Sequence, residues 1–400
     1  MKVLVADKFE KSGLDGLKAL GCDVLSEPDL VDDALTQRLE ESQATVLIVR
    51  STKVTRPMLE ASNLSLIIRA GAGTNTIDVA AASERGILVT NCPGKNSIAV
   101  AELAFGLMIA CDRHIPDNVI QLRAGKWNKK GFSKASGLYG RTLGLIGMGN
   151  IGQEMVTRGK SFGMKVVACS RWMTSEVAAA LGIGSADSFE DLARRSDFIS
   201  VHIALTPETK GSLGKSFFDA MKPASVFVNT SRAEVVDQSA LEAAIKEKGI
   251  VAGLDVFDGE PAGGDGVYEG SLKDNPGVYC THHIGASTEQ AQEAVAAETV
   301  RIVKEYMHTG IAPNVVSVGK AAKATHVLVV RHVDRPGVLA GVLGVLEDEG
   351  INVQEMENIV LSGAKAAIAQ MSVDREPSGA LLSRLKDRPD VLDASILALP

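Results

Sequence analysis

The sequence predicts an α/β protein: two doubly wound parallel-sheet domains, Rossmann-like and flavodoxin-like, and then a C-terminal ferredoxin-like βαββαβ module. Three observations predict it. Short β-branched runs alternate with helical patterns up to residue 281, as parallel sheets with crossover helices require. A glycine fingerprint, Gly147-Met-Gly149-Asn150-Ile151-Gly152, sits between an apolar strand and a helical stretch. Beyond residue 325 the pattern becomes strand, helix, strand, strand, helix, strand.

In the first region, strands are expected at Val3–Ala6, Val46–Val49, Leu66–Ile68 and Ile87–Thr90. A second series follows at Leu143–Ile146, Val166–Cys169, Phe198–His202, Val226–Asn229, Val251–Leu254 and Val278–Cys280. The helical stretch Glu289–Met307 is expected to cross back to the first sheet. The domains so read are a discontinuous substrate-binding domain (1–97 and 289–315), a dinucleotide-binding domain (98–288) and a regulatory module (325–400), with the small and polar 314–324 as linker. In that last module, strands are expected at Val327–Arg331, Asn352–Val360, Ala366–Val373 and Ala394–Leu399, and helices at Gly337–Glu349 and Gly379–Lys386.

Composition narrows the function. The 400 residues are 45% hydrophobic and 23% charged, with a net charge of −7 and both signs interspersed, so no nucleic-acid or membrane surface is advertised. Five scattered cysteines without C-x-x-C spacing suit reduced thiols. The strand-like Lys2-Val-Leu-Val-Ala6 leaves no room for a signal peptide, and Ile98–Cys111 is too short to span a bilayer. A cytoplasmic enzyme is the expectation.

The glycines have separate tasks. One allows the tight turn, one admits a pyrophosphate to the backbone, and one lets helix and strand pack closely. The helix that follows offers free N–H groups to phosphates. Gly147, Gly149 and Gly152, with Asn150 and Ile151 between them, are therefore dinucleotide-binding candidates. Three later pieces lie just past predicted strands, where ligand-facing residues of such a sheet belong. Asn229-Thr230-Ser231-Arg232 places a guanidinium suited to a carboxylate. Asp255-Val-Phe-Asp-Gly-Glu260 supplies carboxylates, and His282-His283 supplies an imidazole able to exchange a hydroxyl proton near neutrality. Singly, each residue is more commonly a surface group; their order after a dinucleotide fingerprint points to hydride transfer at a 2-hydroxy acid. Arg50 and Arg69 end strands of the first region and are cationic candidates for a substrate phosphate; Lys129 and Lys130 follow Trp127 in a loop.

Residues 1–315 resemble the D-isomer-specific 2-hydroxyacid dehydrogenase family through RAGAGTNTIDVAAASERGI, NCPGKNSIAVAEL, GRTLGLIGMGNIGQ, NTSRAEVVD, GLDVFDGEP and HHIGAST. The resemblance implies that Arg232 binds the substrate carboxylate, that His283 is the acid/base and that Glu260 pairs with it. It implies too that Asp255 contacts the nicotinamide carboxamide, that Asn150 and Ile151 line the pyrophosphate, and that Ala72, Gly73 and Asn96 hold the substrate from the first domain. Two departures stand out: Ser231-Arg232-Ala233 where relatives read S/A-R-G, and Thr281-His282-His283 where many read T-P-H. The family register favours His283 over His282. The implied reaction is oxidation of 3-phospho-D-glycerate to 3-phosphohydroxypyruvate in serine synthesis. A glyoxylate or hydroxypyruvate reductase is the alternative, and a non-catalytic dinucleotide-sensing corepressor a distant third. A homodimer or homotetramer is expected by resemblance, with the Ile98–Cys111 helix as its support.

The acid that normally meets the adenosine ribose is missing; Ser170 stands in its place, followed by Arg171. That pair suits the 2′-phosphate of NADP, with NAD as the alternative. In the last module, His332-Val-Asp334-Arg-Pro-Gly337 and Glu349-Gly-Ile-Asn352-Val resemble an ACT domain. The resemblance implies that His332, Asp334 and Asn352 contact an L-serine effector; Asp334 departs from the usual Asn.

Overall fold

The computed structural model describes residues 1–261, 266–318 and 324–399. The chain forms two compact units, Met1–Val315 and Val316–Pro400. Among the described residues the strands fall into three sheets.

The first sheet holds β1 (Lys2–Val5), β2 (Asp23–Ser26), β3 (Val46–Val49), β4 (Leu66–Arg69) and β5 (Leu88–Asn91), all parallel in the order 2-1-3-4-5. This is the flavodoxin-like doubly wound order. Strand β2 escapes sequence reading because it is a half-buried edge, Asp-Val-Leu-Ser, without a sustained apolar run. The second sheet holds β6 (Thr142–Ile146), β7 (Lys165–Cys169), β8 (Gly184–Ser185), β9 (Phe198–Val201), β10 (Val226–Asn229), β11 (Val251–Leu254) and β12 (Val278–Cys280). Its order, 12-11-10-9-6-7-8, is the Rossmann order with one added strand. Strands β9 and β10 are buried along their whole length, which is why they read as continuous apolar runs rather than alternating ones. Two-residue β8 carries too little pattern to be foreseen.

Two crossovers join the sheets. Residues 91–96 lead from β5 into the helix Ser97–Arg113, and residues 281–288 lead from β12 into the helix Glu289–Thr309. The first helix packs under the second sheet: Ala101, Ala104, Leu107, Met108 and Cys111 share a core with Leu143, Leu145 and Val228. Ile98, Glu102 and Gly106, spaced four residues apart on the same helix, stay exposed. The second helix returns to the first sheet, where Ile302 and Val303 pack with Val3, Val5, Ile48 and Ile68.

The expected linker begins too early. Asn314 is bonded to Glu298 and Val315 bridges to Thr90, so both belong to the first unit; residues 319–323 of that stretch lie outside the described residues. The second unit has β13 (His326–Val333), β14 (Val353–Val360), β15 (Ala366–Val373) and β16 (Val391–Ala398), antiparallel in the order 14-15-13-16, with helices Val338–Asp348 and Gly379–Lys386. This is the expected βαββαβ module. Among the described residues no helix is long and apolar enough to cross a membrane.

Candidate functional site

The glycine turn leaves β6 and opens a helix that runs from Asn150 to Ser161. Gly147 has φ +96°, and a Cβ there would stand 2.4 Å from the His202 carbonyl oxygen. A Cβ on Gly152 would stand 2.4 Å from the Gly147 carbonyl oxygen. Gly149, by contrast, has nothing within 4 Å of that position. The space beside it at a helix N-terminus is what a pyrophosphate needs. The Asn150 side chain lies against Gly94 of the first crossover, and Ile151 packs on the helix Ser97–Arg113 core. At the end of β10, the Thr230 hydroxyl is buried with no partner. These features fit a bound dinucleotide. At the end of β7, Ser170 is half-buried and Arg171 exposed.

His202, not foreseen from sequence, closes the other side of the turn. Its Nε2 lies 2.9 Å from Ser200 Oγ while Nδ1 is buried without a partner, and burial pushes the imidazole down to about 3. It is therefore neutral in the working range. A polar residue directly past a fully buried strand was the available signal.

On the strand ends opposite, short-range bonds shape each functional side chain. Asn229, 1% exposed, accepts from the Ser231 N–H (2.9 Å) and hydroxyl (2.7 Å) and donates to the Arg232 carbonyl (2.9 Å). This folds the loop so that the Arg232 guanidinium crosses to the first sheet's loops. A Cβ on Gly73 would stand 2.3 Å from Arg232 Nη2, so a side chain there would have to displace the guanidinium.

His283, rather than His282, meets the carboxylate: its Nδ1 is 2.7 Å from Glu260 Oε2. Glu260 Oε1 accepts from the Phe257 N–H at 2.8 Å, which fixes the carboxylate's orientation. The bond to Glu260 holds the His283 imidazole above its ordinary range, against partial burial. Burial would raise the Glu260 carboxyl, but the His283 and Phe257 bonds outweigh it and hold it below its usual value. With Nδ1–H given to Glu260, Nε2 is left for proton exchange. Asp255, also 1% exposed, accepts from Thr281 Oγ1 (2.6 Å) and from the Ile284 (2.9 Å) and Gly285 (2.8 Å) N–H groups. It pins the loop that carries His283, a task the sequence did not disclose.

The first sheet contributes cations. Asp7 at the end of β1 accepts from the N–H groups of Arg50 (2.6 Å), Ser51 (3.0 Å) and Thr52 (3.0 Å), fixing the loop that carries Arg50. Arg50 Nη1 donates to Gln292 Oε1 at 3.1 Å, and Gln292 is another residue the sequence reading missed. Arg69 folds back over Gly71, and its Nε is buried without a partner. Burial, then the charges of Arg232 and Arg50, push its guanidinium down to about 10. It remains charged at neutral pH. Asn91 Nδ2 donates to the Ala72 carbonyl at 2.5 Å, and Asn96 stands at the N-cap position of the helix Ser97–Arg113 without a side-chain capping bond. Lys129 and Lys130 are exposed and stand outside this cluster.

Comparison with known proteins agrees with this geometry. Residues 105–285 match the family model for the D-isomer specific 2-hydroxyacid dehydrogenase NAD binding domain. The chain is 44% identical over 267 residues to the hydroxypyruvate reductase of Thermotoga maritima, covering 66% of this chain and 85% of that protein. The chain belongs to the D-isomer specific 2-hydroxyacid dehydrogenase family. Within the family it is also 40% identical over 325 residues to D-3-phosphoglycerate dehydrogenase of Methanocaldococcus jannaschii, covering 79% of this chain and 59% of that one. The chain thus spans little more than half the length of such relatives. Among solved structures, NAD+-bound 3-phosphoglycerate dehydrogenase from Entamoeba histolytica superposes with a TM-score of 0.66 at 26% identity, covering 79% of this chain and 98% of that one. Residues 326–390 match the ACT domain.

In that second unit the three expected effector residues do not converge. His332 is buried: its Nδ1 donates to the Val333 carbonyl (2.9 Å) and its Nε2 lies 3.0 Å from the Asn358 amide. Asp334 follows it at the end of β13, where Val333 pairs with Ala366. Asn352 precedes β14 at the other end of the sheet, where Val353 pairs with Val373. At about 3.3 Å per strand residue the two ends are roughly 23 Å apart. The polar neighbour of His332 is Asn358, which the sequence reading missed.

Proposed function

We propose that this dehydrogenase interconverts 3-phospho-D-glycerate and 3-phosphohydroxypyruvate. One observation carries the reading: Arg50, Arg69 and Arg232 crowd one cleft, and Arg69 is depressed by burial and then by its two fellow cations. The nearby carboxylate, Asp7, is occupied by backbone N–H groups. Among the described residues none of the three forms an ion pair, and Glu260, the acid nearest Arg232, is taken by His283; such cations suit a ligand with several negative charges, as a phosphorylated hydroxy acid has. In this reading Arg232, Ala72, Gly73 and Asn96 hold the carboxylate while Arg50 and Arg69 take the phosphate. His283 Nε2 accepts the hydroxyl proton, and Glu260 stabilises the imidazolium that results. The dinucleotide, when bound, supplies the hydride acceptor. Gly147 to Gly152, Thr230 and Asp255 would hold it, and residues 1–97 with 289–315 would form the substrate half facing it.

The family's cofactor domain binds NAD; Ser170 and Arg171, in place of the ribose-binding acid, support tolerance of NADP as well. The likeness to a hydroxypyruvate reductase favours a second reading, reduction of unphosphorylated 2-keto acids. Steady-state kinetics on phosphoglycerate, glycerate and glycolate with each dinucleotide separates the two. The phosphorylated acid should win. R69A should raise its KM by roughly 10- to 100-fold, a charge-assisted contact of about 1.5–3 kcal/mol, and leave glycerate nearly untouched. Equal losses on both acids would sink the phosphate role. For the ACT domain, an amino-acid effector touching both His332 or Asp334 and Asn352 would need two copies of the chain. The helix Ile115–Arg123, with no buried residue and with Ile115, Ile120 and Leu122 exposed, supports a homo-oligomer.

A further inference from the structure

Behind the substrate loops lies a carboxylate that the reaction does not use. Glu298, on the helix Glu289–Thr309, is 6% exposed. Its Oε1 accepts from Arg301 Nη2 at 2.7 Å and from Asn314 Nδ2 at 2.9 Å. Its Oε2 accepts from Arg301 Nε at 3.0 Å and meets Lys95 Nζ at 3.3 Å. Arg301 belongs to the same helix and Asn314 to the segment just past its end, but Lys95 comes from far along the chain. Lys95 immediately precedes Asn96. Asn314, held at φ +59°, also donates to the Asn91 carbonyl at 3.3 Å, and Asn91 Nδ2 reaches the Ala72 carbonyl.

Both loops read above as carboxylate holders are thus within a few bonds of one buried charge. A buried carboxylate with this many charged and amide donors holds its partners, because leaving that charge unpaired away from water is costly. The hydrogen bond from Arg301, helped by Asn314 and Lys95, holds its carboxyl down to about 2, so the charge persists across the working range. The path ends at Gly73, which stands against the Arg232 guanidinium.

We propose that Glu298 is a positioning residue: through Lys95 and Asn314 it sets the Ala72–Gly73 and Asn96 loops against Arg232, and so governs affinity for the acid. This rests on the reading that those loops hold the substrate carboxylate. Two variants of the full chain test it. E298Q keeps the shape and one acceptor oxygen but turns an N–H edge toward cationic donors. N314G permits the left-handed backbone and removes the side chain that carries the amide. Loops displaced by a few tenths of an ångström should raise KM for the acid about tenfold in E298Q and severalfold in N314G, with kcat and the dinucleotide KM close to wild type. A purely structural residue would lower the melting temperature or the active fraction and leave the acid KM alone; that result overturns the proposal. If E298Q does not fold, N314G decides by the same criterion. An active wild type with unshifted variants removes this inference alone, whereas a wild type inactive on every acid tried removes the functional reading with it.

Discussion

Two histidines in this chain make contrasting use of the same ring. His283 is half-exposed, gives one nitrogen to Glu260 and leaves the other open. His332 is buried, with both nitrogens engaged by Val333 and Asn358. An imidazole can move a proton only from a nitrogen it does not owe to the scaffold. Geometry therefore leaves His283 the open nitrogen that the proposed proton exchange requires and ties His332 into the C-terminal sheet, although the sequence nominated both as ligand-facing.

The sharpest way to break the contrast is to remove each ring. His283 sits at φ +52°, a region asparagine tolerates better than most side chains, so H283N should fold. Its kcat should fall by about 10²- to 10⁴-fold, the usual weight of a general acid–base group; a loss below tenfold would return the role to His282. The next effect is on pH. Oxidation needs the neutral imidazole, so kcat/KM should decline as pH falls through the His283 pKa, which Glu260 holds above the ordinary histidine value near 6.5. Reduction needs the imidazolium and should decline as pH rises through the same value. E260Q removes the largest cause of the shift and should move both inflections to lower pH. The sign for stability is the same: what the charged pair contributes is complete below the unfolded histidine pKa and lost as pH rises through the raised folded value. The smallest effect is expected from H332N, which should destabilise the C-terminal unit by about 1–3 kcal/mol through unpaired buried groups. Turnover should change far less than with H283N, as thermal unfolding beside steady-state kinetics would show.

Most of the architecture was legible because long runs carry periodic information. Val46–Val49 and Val226–Asn229 are buried on both faces and advertise themselves; Asp23–Ser26, a polar edge, does not. The residues proposed to carry the chemistry, Arg232, Glu260 and His283, were legible as a set. Those that hold them were not. Asn229, Gln292, Glu298 and Asn358 are single polar residues, most of them acting across the fold on segments far from them in the chain, and no local pattern marks them. The separation of the effector trio within one chain was not legible for a related reason: adjacency to a strand end does not say which end of the sheet another strand begins at.

The fingerprint glycines answer to different masters. Side chains at 147 and 152 would collide with the protein's own backbone, whereas one at 149 would meet only empty space. Two of the three letters are thus conditions for folding, and the third is a condition for occupancy. A methyl group at Gly149, at φ −73° and within reach of ordinary residues, would separate the two, giving a chain that keeps its architecture and has lost the room its ligand needs.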